Sequence, residues 1–314
     1  MQFLIWNIFF SSFFILCIKW TQKNERTDVV TVGAINYIVA AFWGFRAYWE
    51  SSPSDQVFYA IWSGFALGTC YFVAFFFLIY AVHWVGASNS AAVSRLSLVI
   101  PVAAGIFLWG EHLNGYQSLG IVIAFVALFL VGHSSHRTKI GQTKNDHRKS
   151  QNEIAALPPT KHTSSDHGPW WLIWFVLLTF FVICGCSRLT QQTCNQMCDT
   201  EKDYPTFLFA AFVAAGIPSL CVLIFRRNPI SQGELFAGVL LGLSNIFQSH
   251  YILRSLDAFP GNSAFVFTVT STGGLVLTTG VAVLLMKERI NWQSGIGIAL
   301  ASASIFLLRM STQN

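Results

Sequence analysis

Apolar residues come in ten long runs along this chain, and charged or turn-forming residues fall almost entirely between them. The runs cover roughly residues 2–20, 29–49, 57–82, 86–110, 115–132, 170–190, 204–225, 234–254, 261–286 and 291–309. At about 1.5 Å per residue, helices of this size suit a hydrocarbon layer of ~30 Å. The separators include TQKNERTD (21–28), ESSPSD (50–55), EHLNG (111–115), RRNPISQGE (226–234) and KERIN (287–291). The pattern predicts an all-α polytopic membrane protein with ten transmembrane helices. Trp20, Trp49, Trp84, Trp109, Trp170, Trp171 and Trp292 sit near predicted span ends, as an interfacial belt requires.

Composition agrees. Of the 314 residues, 54% are hydrophobic and only 11% charged, against about 25% charged in soluble domains. That is too little polar surface to coat a water-soluble globule. The net charge of +5 could suggest nucleic acid, but most Lys and Arg lie between the apolar runs. Their placement reads as topology, and no nucleic-acid partner is expected. Seven cysteines form no paired framework; Cys194 and Cys198 share a helical face but lack companions at metal-ligand spacing. No metal and no cofactor is expected. Met1-Gln2 offers no basic n-region and no cleavage site follows Phe3–Ile18, so the first run should stay in place as a helix.

Residues 134–168 differ from the rest. Together with His133 they carry Pro158-Pro159, six Lys or Arg and five of the eight histidines: His133, His136, His147, His162 and His167. The spacing fits no ligand motif and reads as a solvated linker between a first unit, 1–133, and a second, 169–314. The two units echo each other. Glu111, Asn114 and Gly120 return as Glu288, Asn291 and Gly297 at an offset of 177, and Gln117-Ser118 as Gln293-Ser294 at 176. Gly64 and Gly68 return as Gly238 and Gly242 at 174; Asp28 returns as Asp203 at 175. Five spans is an odd number, so the second copy must enter from the opposite face. The expectation is two inverted five-helix repeats, the plan that lets carriers alternate access to a midplane site.

Here the chain resembles the EamA-like branch of the drug/metabolite transporter superfamily. The residues carrying the resemblance are Pro101, Gly110-Glu111, Gln117 and Gly120, echoed by Lys287-Glu288, Gln293 and Gly297. The resemblance implies a ten-helix carrier for small metabolites or drugs, with a cavity lined mainly by spans 1, 3, 4, 6, 8 and 9. One position departs from the family pattern. A proline often stands ten residues before the second Glu; here it is Thr278, with Gly273-Gly274 nearby, so a kink in the ninth span is lacking or is supplied by the glycine pair. Glu111 and Glu288 end apolar spans and read as capping or loop-fixing groups.

Arg95 is the sharpest chemical feature. It lies roughly 13 Å from Gly86 and roughly 24 Å from Glu111 along a helix, where a guanidinium costs at least ~2.5–3.5 kcal/mol unless it is compensated. Every Asp and Glu lies in a loop or near a span end. Arg95 therefore either meets an anionic group of a cargo or donates to backbone carbonyls. The candidate substrate-binding residues are Arg95 and the adjacent Ser94, Tyr71, Asn245, Gln248, Ser271 and Gln191, with Arg188 and Gln192 at the polar end of the sixth span. Polar residues in membrane helices also serve simply to join neighbouring helices. Small-residue faces on spans 5 and 10 (Gly120, Ala124; Gly295, Ala299, Ala303) suit close packing or a homodimer contact.

The first span offers only Asn7, Ser11 and Ser12 as interior polar groups, so proton coupling would fall to His83 or His250, or the protein is an exchanger or facilitator. Thirteen Lys and Arg fall on the face bearing the linker and five on the face bearing both termini. The positive-inside rule then puts the linker in the cytoplasm. The best reading is a secondary carrier in the cell (inner) membrane for a small organic metabolite, with a preference for acids or zwitterions such as amino acids. It is not an enzyme: no clustered Asp or His marks a lipid-acting site, and no P-loop is present. A non-transporting receptor or scaffold is the rival.

Overall fold

The computed structural model describes residues 1–23, 27–52, 54–55, 57–85, 87–111, 113–128, 130, 170–226, 229–286 and 292–311. The linker with its histidines, the Lys287–Asn291 segment with Glu288, and the side chains of His83 and Gln293 lie outside the described residues. What is described is helical, with no strand among the described residues. The helices are α1 (Gln2–Lys23), α2 (Val29–Trp49), α3 (Val57–Val85), α4 (Ala87–Leu96) and α5 (Val99–Trp109), then α6 (Gly115–Leu128). After the linker come α7 (Trp170–Met197), α8 (Thr200–Arg226), α9 (Gln232–Ala258), α10 (Ser263–Met286) and α11 (Trp292–Ser311). Each apolar run thus contains helix, and α4 with α5 together make the fourth. Six of these helices are long and apolar enough to cross a membrane: α2, α3, α7, α8, α9 and α10.

Local chemistry sets the ends. Asp28 caps α2, its carboxylate accepting from the Val30 N–H. Ser231 and Glu234 form a reciprocal capping box on α9. Gly110, at φ 63°, closes α5 in the left-handed conformation that glycine tolerates best.

Packing directions follow from close approaches. Arg226, ending α8, pairs with Asp28, before α2, at 2.5 Å. At the other end of α2, a Cβ on Gly44 would sit 3.2 Å from the Phe209 backbone, early in α8. So α2 and α8 run antiparallel. Gly64 and Gly68 of α3 face Phe207–Ala214 of α8 in rising order, and Gly238 and Gly242 of α9 face Val32–Val39 of α2 in rising order. These two pairs are parallel. It follows that α3 and α9 also run opposite ways. The contacts come in exchanged partners: α3 lies on α8 as α9 lies on α2, and α7 lies on α3 as α1 lies on α9.

The core sits along α8 and α10. Tyr204, Phe207, Ala211 and Phe212 of α8 are fully enclosed, and 72% of the membrane window of α10 is buried against 22–50% for the other five spans. Helix α10 is therefore the enclosed element, while Trp20, Trp49, Trp171 and Trp292 are exposed at helix ends. Gly120 and Ala124 are buried within the chain, whereas Ala299 and Ala303 face outward.

Candidate functional site

The fourth span is broken where Pro101 requires it. A proline has no N–H to give the carbonyl four residues back and its ring collides with it. Here that carbonyl belongs to Ser97, and the chain makes a turn at Ser97–Leu98 before α5 begins. The loosened groups are taken up locally: Ile100 N–H donates to the Ser97 carbonyl at 3.1 Å, Leu98 N–H to the Arg95 carbonyl at 3.2 Å, and Ser97 Oγ to the Ser94 carbonyl at 2.6 Å. Ser97 and Leu98 are both fully buried. Arg95 occupies the last turn of α4, beside this buried break.

From there Arg95 crosses to α10. Its Nη1 donates to the Ser271 carbonyl at 2.6 Å and its Nη2 to Thr278 Oγ1 at 3.2 Å; the residue is 8% exposed. Gly274 makes room, since a Cβ there would stand 2.9 Å from Arg95 Nη1. Thr278 in turn donates to the Gly274 carbonyl at 2.5 Å, and Ser12 of α1 reaches the same carbonyl at 3.3 Å. The position that lacks the family's proline thus holds a hydroxyl that receives Arg95. Helix α10 runs unbroken from Ser263 to Met286, so the glycine pair does not break the helix.

Arg95 is not alone, which corrects the reading of a single intramembrane charge. Arg188 Nη1 donates to Ser271 Oγ at 3.2 Å and to the Arg95 carbonyl at 3.5 Å. The sequence pattern ends the sixth span near 190, because Thr190–Gln196 turns polar, and sets Arg188 at a polar end. Helix α7 continues to Met197, which leaves Arg188 about 14 Å short of its C-terminal end. Among the described residues no acidic side chain pairs with either guanidinium; the ion pairs there are Arg46–Glu50 and Arg226–Asp28.

Beside the arginines lies a second polar group. Gln191 Nε2 donates to the Tyr71 hydroxyl at 3.0 Å, which is 3.2 Å from Ser249 Oγ; Tyr37 donates to the Tyr71 carbonyl at 3.0 Å. Arg188 lies within electrostatic reach of Tyr71 and Cys184. A third group joins Asn245 Nδ2 to Asn36 Oδ1 at 3.2 Å, Gln248 Nε2 to Asn245 Oδ1 at 3.3 Å, and Asn7 Nδ2 to the Gln248 carbonyl at 2.7 Å. The structure therefore brings Arg95 to Ser271, Gln191 to Tyr71 and Gln248 to Asn245. The Ser94 side chain instead lies beside the Cys184 thiol of α7. Asn36 is not among the expected binding residues, whereas Thr278 shares the polar face of the ninth span with Ser263, Thr270, Ser271 and Gly274 and is a lining candidate by that pattern. Thr278 is marked a second time, as the substituted proline position.

Glu111 caps rather than reacts. Its carboxylate oxygens accept from the Ser263 and Ala264 N–H groups at 3.2 and 3.3 Å, at the start of α10. Gln117 accepts from the Asn114 N–H at 3.0 Å and donates to Asn262 at 3.2 Å. The Gly-Glu…Gln stretch after the fourth span thus holds the entrance of the ninth. A cavity of about 480 Å³ lies elsewhere, between α1, α9 and α10, lined by Phe9, Phe13, Leu16, Phe236, Leu240 and Leu277 among others. Its lining residues include no charged group.

A bundle of long apolar helices around a charged interior defines an integral membrane protein of transporter type. Residues 1–132 match the model of the EamA-like transporter family, so the first unit is similar to that family. An uncharacterized protein of Haemophilus influenzae is 25% identical over 264 residues, covering 84% of this chain and 78% of that one. A protein crystal structure at 14% identity matches 99% of this chain and 96% of its own, with a TM-score of 0.68; that likeness concerns the fold.

Proposed function

We propose that this protein is a secondary carrier that moves a small organic metabolite, acidic or zwitterionic, by alternating access between two inverted five-helix repeats. The observation that carries the reading is the meeting of Arg95 with Ser271. They stand 176 residues apart, within the 174–177 offset of the sequence echo. In the register that matches Pro101 to Thr278 and Glu111 to Glu288, the counterpart of Arg95 is Thr272. Arg95 thus meets the residue beside its own counterpart, as expected close to an axis relating two copies, and this supports a central site. The antiparallel courses of α2 against α8 and of α3 against α9, which are counterparts by the same offsets, support the inversion. The exchanged contacts support it as well. Buried guanidiniums at such a centre favour a cargo with a negative group. The bacterial relative supports a cell (inner) membrane location.

Reconstitution tests the reading. Purified protein in liposomes, given a panel of labelled amino acids, organic acids and phosphorylated metabolites, should give saturable flux of at least one, and counter-flow when the lumen is preloaded. Absence of flux across the panel, with intact protein in the vesicles, refutes the carrier.

A further inference from the structure

We infer that the interior site takes a doubly charged anion, a phosphate monoester or a dicarboxylate, with Arg188 as its direct contact and Arg95 as the fixed second charge. The inference rests on the carrier reading and narrows its substrate class.

Charge is the first consideration. Two guanidiniums share one residue, Ser271, Arg95 through its carbonyl and Arg188 through its hydroxyl. Neither has an acidic partner among the described residues. Each uncompensated cation within a bilayer is costly, and two side by side also repel. A monoanion balances one and leaves the other. A zwitterion brings its own ammonium to a place with no carboxylate, among the described residues, to receive it. A dianion brings the site to neutrality.

The two arginines are not equivalent. Arg95 is enclosed, and both its terminal nitrogens are held by α10 acceptors. It cannot turn to a cargo without giving up those bonds. Arg188 is half-buried and donates through Nη1 alone; its Nη2 and Nε have no hydrogen-bond partner among the described residues. Those two nitrogens form the edge of the guanidinium that receives a carboxylate or phosphate bidentately. One turn further along α7 stands Gln191, bonded to the Tyr71 hydroxyl beside Ser249. These neutral groups are placed to receive the remainder of the molecule.

The test uses the purified full chain in nanodiscs and probes matched in shape but not in charge: methyl phosphate against methyl sulfate, and succinate against its monomethyl ester. At constant ionic strength, at least one dianion should bind about tenfold more tightly than its monoanionic mate, the scale of one charged hydrogen bond. Which pair discriminates separates phosphate from dicarboxylate. Methyl phosphate should also weaken as pH falls through ~6, where a phosphate monoester loses its second charge. Arg188→Gln should abolish the discrimination, and Arg188→Lys should weaken binding while keeping it. Equal binding within both pairs, or no binding of any of the four, overturns the inference; so does a folded Arg188→Gln that still discriminates. Should that variant not fold, the wild-type pairs and the pH series decide. Dianion binding without flux refutes the carrier and leaves the site standing. Flux of a zwitterion with no preference for dianions does the reverse.

Discussion

The fourth and ninth spans occupy matching places in the two sequence echoes, each closing on a Glu that precedes an Asn and a Gly. The fourth enters as α4, turns at Ser97–Leu98 and leaves as α5; it carries Pro101 and Arg95. The ninth is α10, unbroken and uncharged along its described length, with Thr278 where the family pattern often has proline. One of the two spans supplies a cation at a break, and the other an unbroken helix of acceptors. The difference comes from few residues: a missing N–H breaks one helix, and a hydroxyl in the matching half receives the arginine released by that break.

Removing the cation should have the largest effect. Arg95→Ala ought to abolish flux in proteoliposomes while the protein still elutes as a single species in detergent; unchanged flux would take Arg95 out of the mechanism. Making the ninth span resemble the fourth comes next. Thr278→Pro loses the acceptor for Arg95 Nη2 and breaks an enclosed helix, at a cost of about 3 kcal/mol or more, read as a lowered Tm. The opposite change, Pro101→Ala, restores the missing N–H. It should lower flux several-fold with no fall in Tm, because straightening α4 onto α5 swings Arg95 away from Ser271. A smaller effect is expected at the entrance of α10, where Glu111→Ala should cost about 1–2 kcal/mol through loss of a helix cap.

The smallest lies outside the membrane, at the Asp28 clamp. Partial burial would raise that carboxyl, but bonds from Thr31 and Val30 and the Arg226 guanidinium bring it below the ordinary aspartate range. A carboxyl lowered by folding contributes stability that is complete above its unfolded value near pH 4 and is lost as pH falls through the lower folded value. Tm should therefore drop modestly below about pH 4, and Asp28→Asn should flatten that part of the curve. With the Asp28 side chain 33% exposed, solvent screening keeps the change small.

Much of this arrangement could be read before any coordinates. Hydropathy gave the runs because a bilayer imposes length and apolarity on every crossing. The role of Glu111 followed from its place at a span end. Gly64, Gly68, Gly238 and Gly242 stood out as an echo, and each proves to be where a neighbouring helix comes too close for a side chain. Depth was harder to read. Arg188 looked peripheral because Thr, Gln, Cys and Asn follow it, and hydropathy cannot tell a polar helix turn inside a bundle from one in water. Nor could one sequence pair Arg95 with Thr278, since that contact depends on how two distant helices are set against each other.

The glycine contacts have a mechanical consequence. Where α3 meets α8 and α9 meets α2, the atoms nearest the glycines belong to backbone, alanine, Ile35 or Val39. Surfaces of that kind present few steps to climb, so a helix can slip along its neighbour by a fraction of a turn without first unseating a bulky group. Two such close seams, one on α8 and one on α2, would let the bundle shift at its flanks while the arginine–serine contact stays tied.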